Sequence, residues 1–268
     1  MPQTLHVQGV ISDLDGVVYR GNAPVPEAVA LFAKLRDQAI PYAFVTNNSA
    51  KSREDISAKL NDMGFWATPE NVINTSWLMA EFLHQEFGAK GQVYVVGSDN
   101  LKAAVAGAGL TLADNDVDAV VVGLDRAFDY EKLTTAQRLL LGSARFLATN
   151  PDRMIPQEVG FIPGAGSLVR AIETASGRSA EVLGKPQPHI VTKALSVLGT
   201  QPAATVLIGD QLQTDIAAGQ AAGVQTVLVR TGVRPAHHSD IVPDIAVDTL
   251  AELEILKSPR NPTPRGAE

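Results

Sequence analysis

A chain of 268 residues exceeds the ~100–200 residues usual for one domain, so one large or two smaller units are expected. At 45% hydrophobic and 19% charged it can bury a core, while a net charge of −7 and a pI near 5.3 argue against a nucleic-acid or anionic-membrane binder, which would carry a basic face. With no cysteine, disulfides, a thiolate nucleophile and cysteine metal sites are excluded, and a reducing compartment fits.

The first residues, Met1-Pro2-Gln3-Thr4-Leu5-His6, show no basic stretch followed by an apolar one. No apolar run approaches the ~18 residues of a membrane span. A soluble, cytoplasmic protein is the expectation.

In chain order, the apolar, β-branched runs Val7–Ile11, Tyr42–Val45, Val93–Val96, Ala119–Val122, Val206–Ile208 and Thr226–Val229 read as buried strands. Helices are expected at Glu27–Asp37, Ser52–Met63, Trp77–Phe87, Glu131–Arg145, Pro188–Leu198 and Asp215–Ala222. Ser52 with Asp55 three residues on reads as a helix start, and Gly199 and Gly223 sit where helices should stop. This alternation predicts an α/β fold of parallel sheets covered by helices. Interruptions at Gly88–Gly91 and Gly177–Ser179 bracket a stretch long enough for a small unit of its own. Residues 1–86 and 183–257 are therefore expected to form one core, 87–182 an inserted domain, and 258–268 a loose tail.

Asp13 and Asp15 follow directly on the first strand, and Gly16 follows them. In an open α/β sheet, ligands gather at the carboxyl ends of strands. Two carboxylates held that close need a divalent cation or a shared proton, although Asp and Gly also make ordinary turns. Thr46-Asn47-Asn48-Ser49 ends the second strand with hydroxyl, amide and N–H groups suited to phosphate oxygens or, equally, to capping the next helix. Lys185, in Gly184-Lys185-Pro186, offers a fixed ammonium or a plain surface lysine. Asp210 ends another strand with Asp215 five residues on; they suit a hard cation such as Mg²⁺ or an acidic helix start. None of these is specific alone. Their order supplies every part of an aspartyl-phosphate mechanism.

Asp13-Leu14-Asp15-Gly16-Val17, Thr46-Asn47, Lys185 and Gly209-Asp210 with Asp215 resemble the four ordered motifs of the haloacid dehalogenase superfamily. The spacing, with Ala148–Asp152 and Pro163–Leu168, is similar to subfamily IIA, which groups NagD-like and p-nitrophenyl phosphatase-like enzymes. That resemblance implies a Rossmann-like core with an inserted C2-type cap domain. It implies a Mg²⁺-dependent phosphatase acting on a small phosphomonoester, with Asp13 as nucleophile and Asp15 as general acid and base. Thr46, Asn47 through its backbone, and Lys185 would hold the phosphate. Asp13, Asp210 and the Asp15 carbonyl would hold Mg²⁺, with Asp215 orienting ligands. Thr149, Asn150 and Asp152, with the Gly164–Ser167 turn, are candidates for substrate contacts. Relatives often pair through the cap, so a homodimer is an expectation.

A phosphotransferase, a mutase or an inactive phosphometabolite-binding module could use the same site. Gln211 and Gln213 stand where many relatives carry arginine and aspartate, which leaves any salt bridge there in doubt. Gly164-Ala165-Gly166 lacks the third glycine of a dinucleotide loop, and Gly184-Lys185 lacks the frame of a P-loop. The histidines show no zinc spacing; His237-His238 reads as a solvated loop, and Trp66 and Trp77 as core.

Overall fold

The computed structural model describes residues 2–156, 160–231 and 240–258. Its larger sheet has six parallel strands in the order Ile245–Val247, Gln225–Val229, Thr205–Gly209, Gly9–Asp13, Tyr42–Thr46, Val72–Asn74. The central strand Gly9–Asp13 is buried along its whole length. The expected strand Val7–Ile11 divides in two: Gln3–Val7 pairs with Leu253–Lys257, and Gly9–Asp13 joins the larger sheet, where cover on both faces favours apolar residues. Because all six run the same way, Asp13, Thr46 and Gly209 end at one edge of the sheet.

A second, five-stranded parallel sheet has the order Glu181–Val182, Arg145–Ala148, Ala119–Val122, Gln92–Val96, Thr111–Leu112. All its strands come from the stretch between the second and third strands of chemical interest. The two sheets share one apolar layer. Ile11, Ala43 and Val45 of the first and Val93, Val95 and Val121 of the second join a single cluster through Met79, Leu83 and Leu101. The helices Thr75–Phe87 and Asp99–Gly107 carry those last three residues. Each such buried aliphatic side chain contributes roughly 1.5–3 kcal/mol, so the two units are held together by more than their linkers.

The helix Arg53–Asp62 opens with Ser52 accepting from the Asp55 N–H and Asp55 returning a bond to Ser52, a full capping box. Gly199 ends the helix His189–Leu198 in the left-handed conformation, at φ 64°.

Several elements depart from the sequence reading. The helix expected at Glu131–Arg145 is Tyr130–Leu140, and Arg145–Ala148 is a strand. Four residues beginning with arginine give too little period-2 signal to separate from a helix end. The helices Asp99–Gly107 and Ala165–Ser176 were not read; both are rich in alanine and glycine, which blur apolar periodicity. The expected turn at Gly164–Ser167 is instead the start of the second of them. The expected helix Asp215–Ala222 is a wide turn, Leu212–Ile216, running into Ala217–Ala221. Trp66 is not core: it is 64% exposed, with the Arg36 guanidinium 4.4 Å from its ring. Trp77 is half-buried between Arg53 and Lys193. His237-His238 and positions 259–268 lie outside the described residues.

Candidate active site

Asp13 is the last residue of the central strand, and Asp15 lies on the turn beyond it. Gly16 has φ +90°, and a Cβ there would run into the Asp210 carboxylate. Only glycine takes that backbone conformation freely and lets the turn close against Asp210. The Thr231 hydroxyl donates to the Gly16 carbonyl at 2.7 Å and fixes the turn from the other side.

Lys185 sits at the centre, only 3% exposed. Its Nζ donates to Asp13 Oδ1 and, at 2.7 Å, to Asp215 Oδ1. Asp215 Oδ2 accepts from the N–H groups of Asp210 and Gln211, at 3.2 and 3.0 Å. Asp215 is thus spent on holding Lys185 and the Asp210 backbone in place. Carboxylate oxygens of Asp13, Asp210 and Asp215 come within 4.8 Å of one another. Asp210 Oδ1 is buried without a hydrogen-bond partner. Gln211 and Gln213 face outward and are exposed, so the missing charges leave this arrangement intact.

Asn47 is the hub between the sheets. Its side-chain amide donates to the Asp152 carboxylate at 3.2 Å and to the Lys185 carbonyl at 3.0 Å, and its Oδ1 accepts from the Lys185 N–H at 2.9 Å. Its own carbonyl accepts from Thr75 and Asn150, both at 2.8 Å. The side chain is therefore committed to protein partners. Thr46, by contrast, has a buried hydroxyl that accepts only the Asn48 N–H, at 3.2 Å, and remains able to donate.

Two of the three expected substrate contacts turn inward. Thr149 and Asn150 are buried, and Asn150 spends its amide on Asn47 and Thr149. Their polar groups tie the second sheet to the first rather than facing a ligand. Asp152 is half-buried beside Asn47. Gly164 and Gly166 lie under the Pro151–Asp152 backbone, where any Cβ would collide with it. Their signal is close packing beneath this loop.

Sequence reasoning missed a second tie. Asn100 donates to the Ser49 and Lys51 carbonyls at 3.0 and 2.9 Å and to Ser76 Oγ at 2.9 Å, while Ser98 donates to the Ser49 carbonyl at 3.1 Å. A polar pair at the start of a helix reads as capping, and only the fold reveals what it faces.

Comparison with known proteins agrees with this geometry. A family model described as haloacid dehalogenase-like hydrolase matches residues 10–111, and a second, HAD-hydrolase-like, matches 182–253. The chain is 38% identical over 248 residues to the 5'-nucleotidase YutF of Bacillus subtilis, covering 91% of this chain and 96% of that one. The chain belongs to the haloacid dehalogenase-like hydrolases. Among solved structures, NagD of Escherichia coli K-12 superposes with a TM-score of 0.85 at 31% identity, covering 93% of this chain and 99% of NagD. The glycerol phosphate phosphatase Rv1692 of Mycobacterium tuberculosis, solved in complex with magnesium, superposes with a TM-score of 0.84 at 32% identity, covering 92% and 76%.

Rv1692 holds magnesium, and the residues of the present site fit such an ion. The donors are all oxygens, as a hard cation requires. The orphaned Asp210 Oδ1 is the kind of buried atom that a bound ion satisfies.

Burial pushes the Asp13 carboxyl up to about 7; Lys185 opposes this and Asp215 adds to it. Burial, with Asp13 and Asp215 behind it, pushes Asp210 up to about 9. Burial alone would depress Lys185, but Asp13 and Asp215 overcome it and keep the ammonium charged. Lys185 bonds Asp13 and not Asp210, so the surplus proton of the metal-free cluster belongs on Asp210.

The sign of the pH dependence follows. Both carboxyls hold protons more tightly in the folded protein than an ordinary aspartate, near 3.8, does. Their stabilising contribution is complete below that value and is lost as pH rises through about 7 and about 9. A bound Mg²⁺ would replace those protons. The melting-temperature gap between Mg²⁺-loaded and chelated protein should therefore widen from about pH 5 to about pH 8.5, as proton competition for the ligands falls. At ~100 times Kd, Mg²⁺ stabilises by about 2.7 kcal/mol, or roughly 5–10 °C. A gap that stays constant across that range in scanning calorimetry would contradict the assignment.

Proposed function

We propose that the protein hydrolyses small-molecule phosphomonoesters through an aspartyl-phosphate formed on Asp13. The observation that carries this reading is the buried Lys185 ammonium bound to Asp13 and Asp215 beside the unpartnered Asp210 oxygen. Asp13, Asp210 and Asp215 crowd round the Lys185 ammonium, an acidic cluster that disfavours a phosphate dianion until a cation enters.

Asp13 attacks phosphorus, with its carboxylate oriented by Lys185. Asp15 gives its proton to the departing alcohol, then takes one from the water that cleaves the aspartyl-phosphate. Its carboxyl is raised by the protein packed round it, an effect tempered by Lys59, Tyr19 and Lys185 and by an exposed side chain. Thr46, the Asn47 N–H and Lys185 stabilise the equatorial oxygens. Asp13, Asp210 and the Asp15 carbonyl would hold Mg²⁺, which when bound would screen the carboxylates from the phosphate and polarise it. Asp215 keeps Lys185 and Asp210 aligned.

We place the inserted domain at 87–182, flanked by core segments 1–86 and 183–257; the division of the strands between the two sheets supports it. Asp152 is the contact we retain for the leaving group. Exposed Leu112, Tyr130 and Leu141 on the inserted domain favour pairing through it, and light scattering showing a monomer would reject that. No described helix is long and apolar enough to cross a membrane. A cytoplasmic setting fits the cysteine-free composition and would be rejected by fractionation that finds the protein outside the cell.

The names of the relatives span nucleotide, sugar and polyol phosphates. Phosphate release should accordingly be followed across 5'-nucleotides, sugar phosphates, glycerol phosphate and pyridoxal phosphate. Turnover with Mg²⁺ and loss of at least ~100-fold with chelator are expected. Turnover unchanged by chelator would overturn the metal's role, and silence across the panel would favour a binding module.

A further inference from the structure

Asp15 has a partner that none of the four motifs includes. Four residues on, the chain folds back: the Gly16 N–H donates to the Tyr19 carbonyl at 2.8 Å and the Tyr19 N–H to the Leu14 carbonyl at 3.2 Å. That turn buries the Tyr19 ring and brings its hydroxyl to Asp15 Oδ2, donating at 3.2 Å. On the ring's face lies Lys59, from the helix Arg53–Asp62, with Nζ 3.6 Å from the centroid. The same Nζ donates to the Gly21 carbonyl at 2.9 Å, just past the Tyr19–Arg20 strand. The hydroxyl thus meets one oxygen of the carboxyl, while the ammonium packs on the ring that carries it.

We propose that Tyr19 is a positioning residue for proton transfer: it occupies Asp15 Oδ2 so that the proton rides on Oδ1, the oxygen left free for the substrate, and Lys59 holds the Tyr19 ring in place. The inference rests on reading Asp15 as the proton carrier. A carboxylic acid accepts best at its carbonyl oxygen and donates from the other. A phenol donating to Oδ2 therefore selects the tautomer with the proton on Oδ1. When Asp13 attacks, the phosphorus–oxygen ester bond breaks with its electron pair passing to the bridging oxygen. The Asp15 Oδ1 proton goes to that oxygen, leaving Asp15 a carboxylate and Asp13 an acyl phosphate. Lys59 over the ring favours the donating phenol by the electrostatics of cation–π contact.

The leaving group provides a readout that a merely structural role would not move. An alkoxide needs its proton as the bond breaks, whereas p-nitrophenolate departs almost without one. The enzyme loaded with Mg²⁺ is assayed for kcat/KM on glycerol phosphate, a sugar phosphate and p-nitrophenyl phosphate, as wild type, Asp15→Asn, Tyr19→Phe, Lys59→Met and Lys59→Arg. General-acid catalysis supplies about 10²–10⁴-fold, and misplacing the proton forfeits part of it. Tyr19→Phe should therefore lose about tenfold more on the alkyl esters than on p-nitrophenyl phosphate. Lys59→Met should show the same bias at smaller size, and Lys59→Arg should restore it. An equal loss on all three substrates in Tyr19→Phe, while Asp15→Asn retains a leaving-group bias, overturns the proposal and leaves Asp15's role standing. No bias in Asp15→Asn overturns the proton-carrier reading itself. Equal behaviour of Lys59→Met and Lys59→Arg removes Lys59 from the device.

Discussion

Asp13→Asn is expected to fold and to have lost phosphate release by about 10⁴-fold or more, because no other group in the site can take phosphorus. Asparagine keeps the volume and leaves Lys185 its bond to Asp215 at 2.7 Å. It also removes one of the crowded carboxylates, so the chelated variant should melt at or above the wild type. The covalent step has its own signature. If every substrate passes through one phospho-enzyme, an added alcohol must compete with water in a ratio that does not depend on the leaving group. Wild-type protein should give that constant partition across the panel, and acid-quenched samples should retain phosphate on Asp13. A partition that changes with the substrate would mean direct attack by water, and full turnover in Asp13→Asn would sink the nucleophile assignment.

Lys185→Met should be damaged twice. Removing the only cation among the described residues bonded to Asp13 and Asp215 leaves buried charge uncompensated, at about 3–5 kcal/mol. Loss of a donor to the transferring phosphoryl group should lower kcat by a further ~10²–10³-fold. The two effects separate by condition. Lower pH or Mg²⁺ neutralises the carboxylates and should recover much of the stability, but neither restores the donor. Denaturant melts at about pH 5.5 and about pH 8, with and without Mg²⁺, test the first effect. Turnover under the same conditions tests the second. A variant as stable as wild type at the higher pH in chelator would show that the cluster does not depend on Lys185.

Much of this was legible before any coordinates, for physical reasons. Strands such as Gly9–Asp13 and Thr205–Gly209 are buried along their length, so each carries an apolar stretch, Val10–Ile11 and Val206–Ile208, that leads to Asp13 or to Asp210 just beyond the strand end. A parallel sheet then brings Asp13, Thr46 and Asp210 to one edge without further information. What the residues cannot announce is which partner a side chain finds across the chain. Asn47 reads as a phosphate ligand or a cap, yet its amide serves Asp152 and Lys185, more than 100 positions away. Thr149 and Asn150 look like a polar loop facing a substrate, and packing turns them inward. Tyr19 belongs to none of the motifs, and only its hydroxyl's aim at Asp15 distinguishes it. Short strands such as Arg145–Ala148 fall below the length at which periodicity discriminates.

The loop after Thr46 is gripped from both sides by the second sheet's unit: by Ser98 and Asn100 at Ser49 and Lys51, and by Asn150 and Asp152 at Asn47. The residue adjoining Thr46 is thereby also a joint between the two units. A foreign cap could not be spliced into this core as an interchangeable cassette, because it would have to bring those same four donors and acceptors in register. Substrate preference is then freest to diverge in the parts of the cap that do not touch this loop, whereas the loop and its four partners, Asp152 among them, must change together.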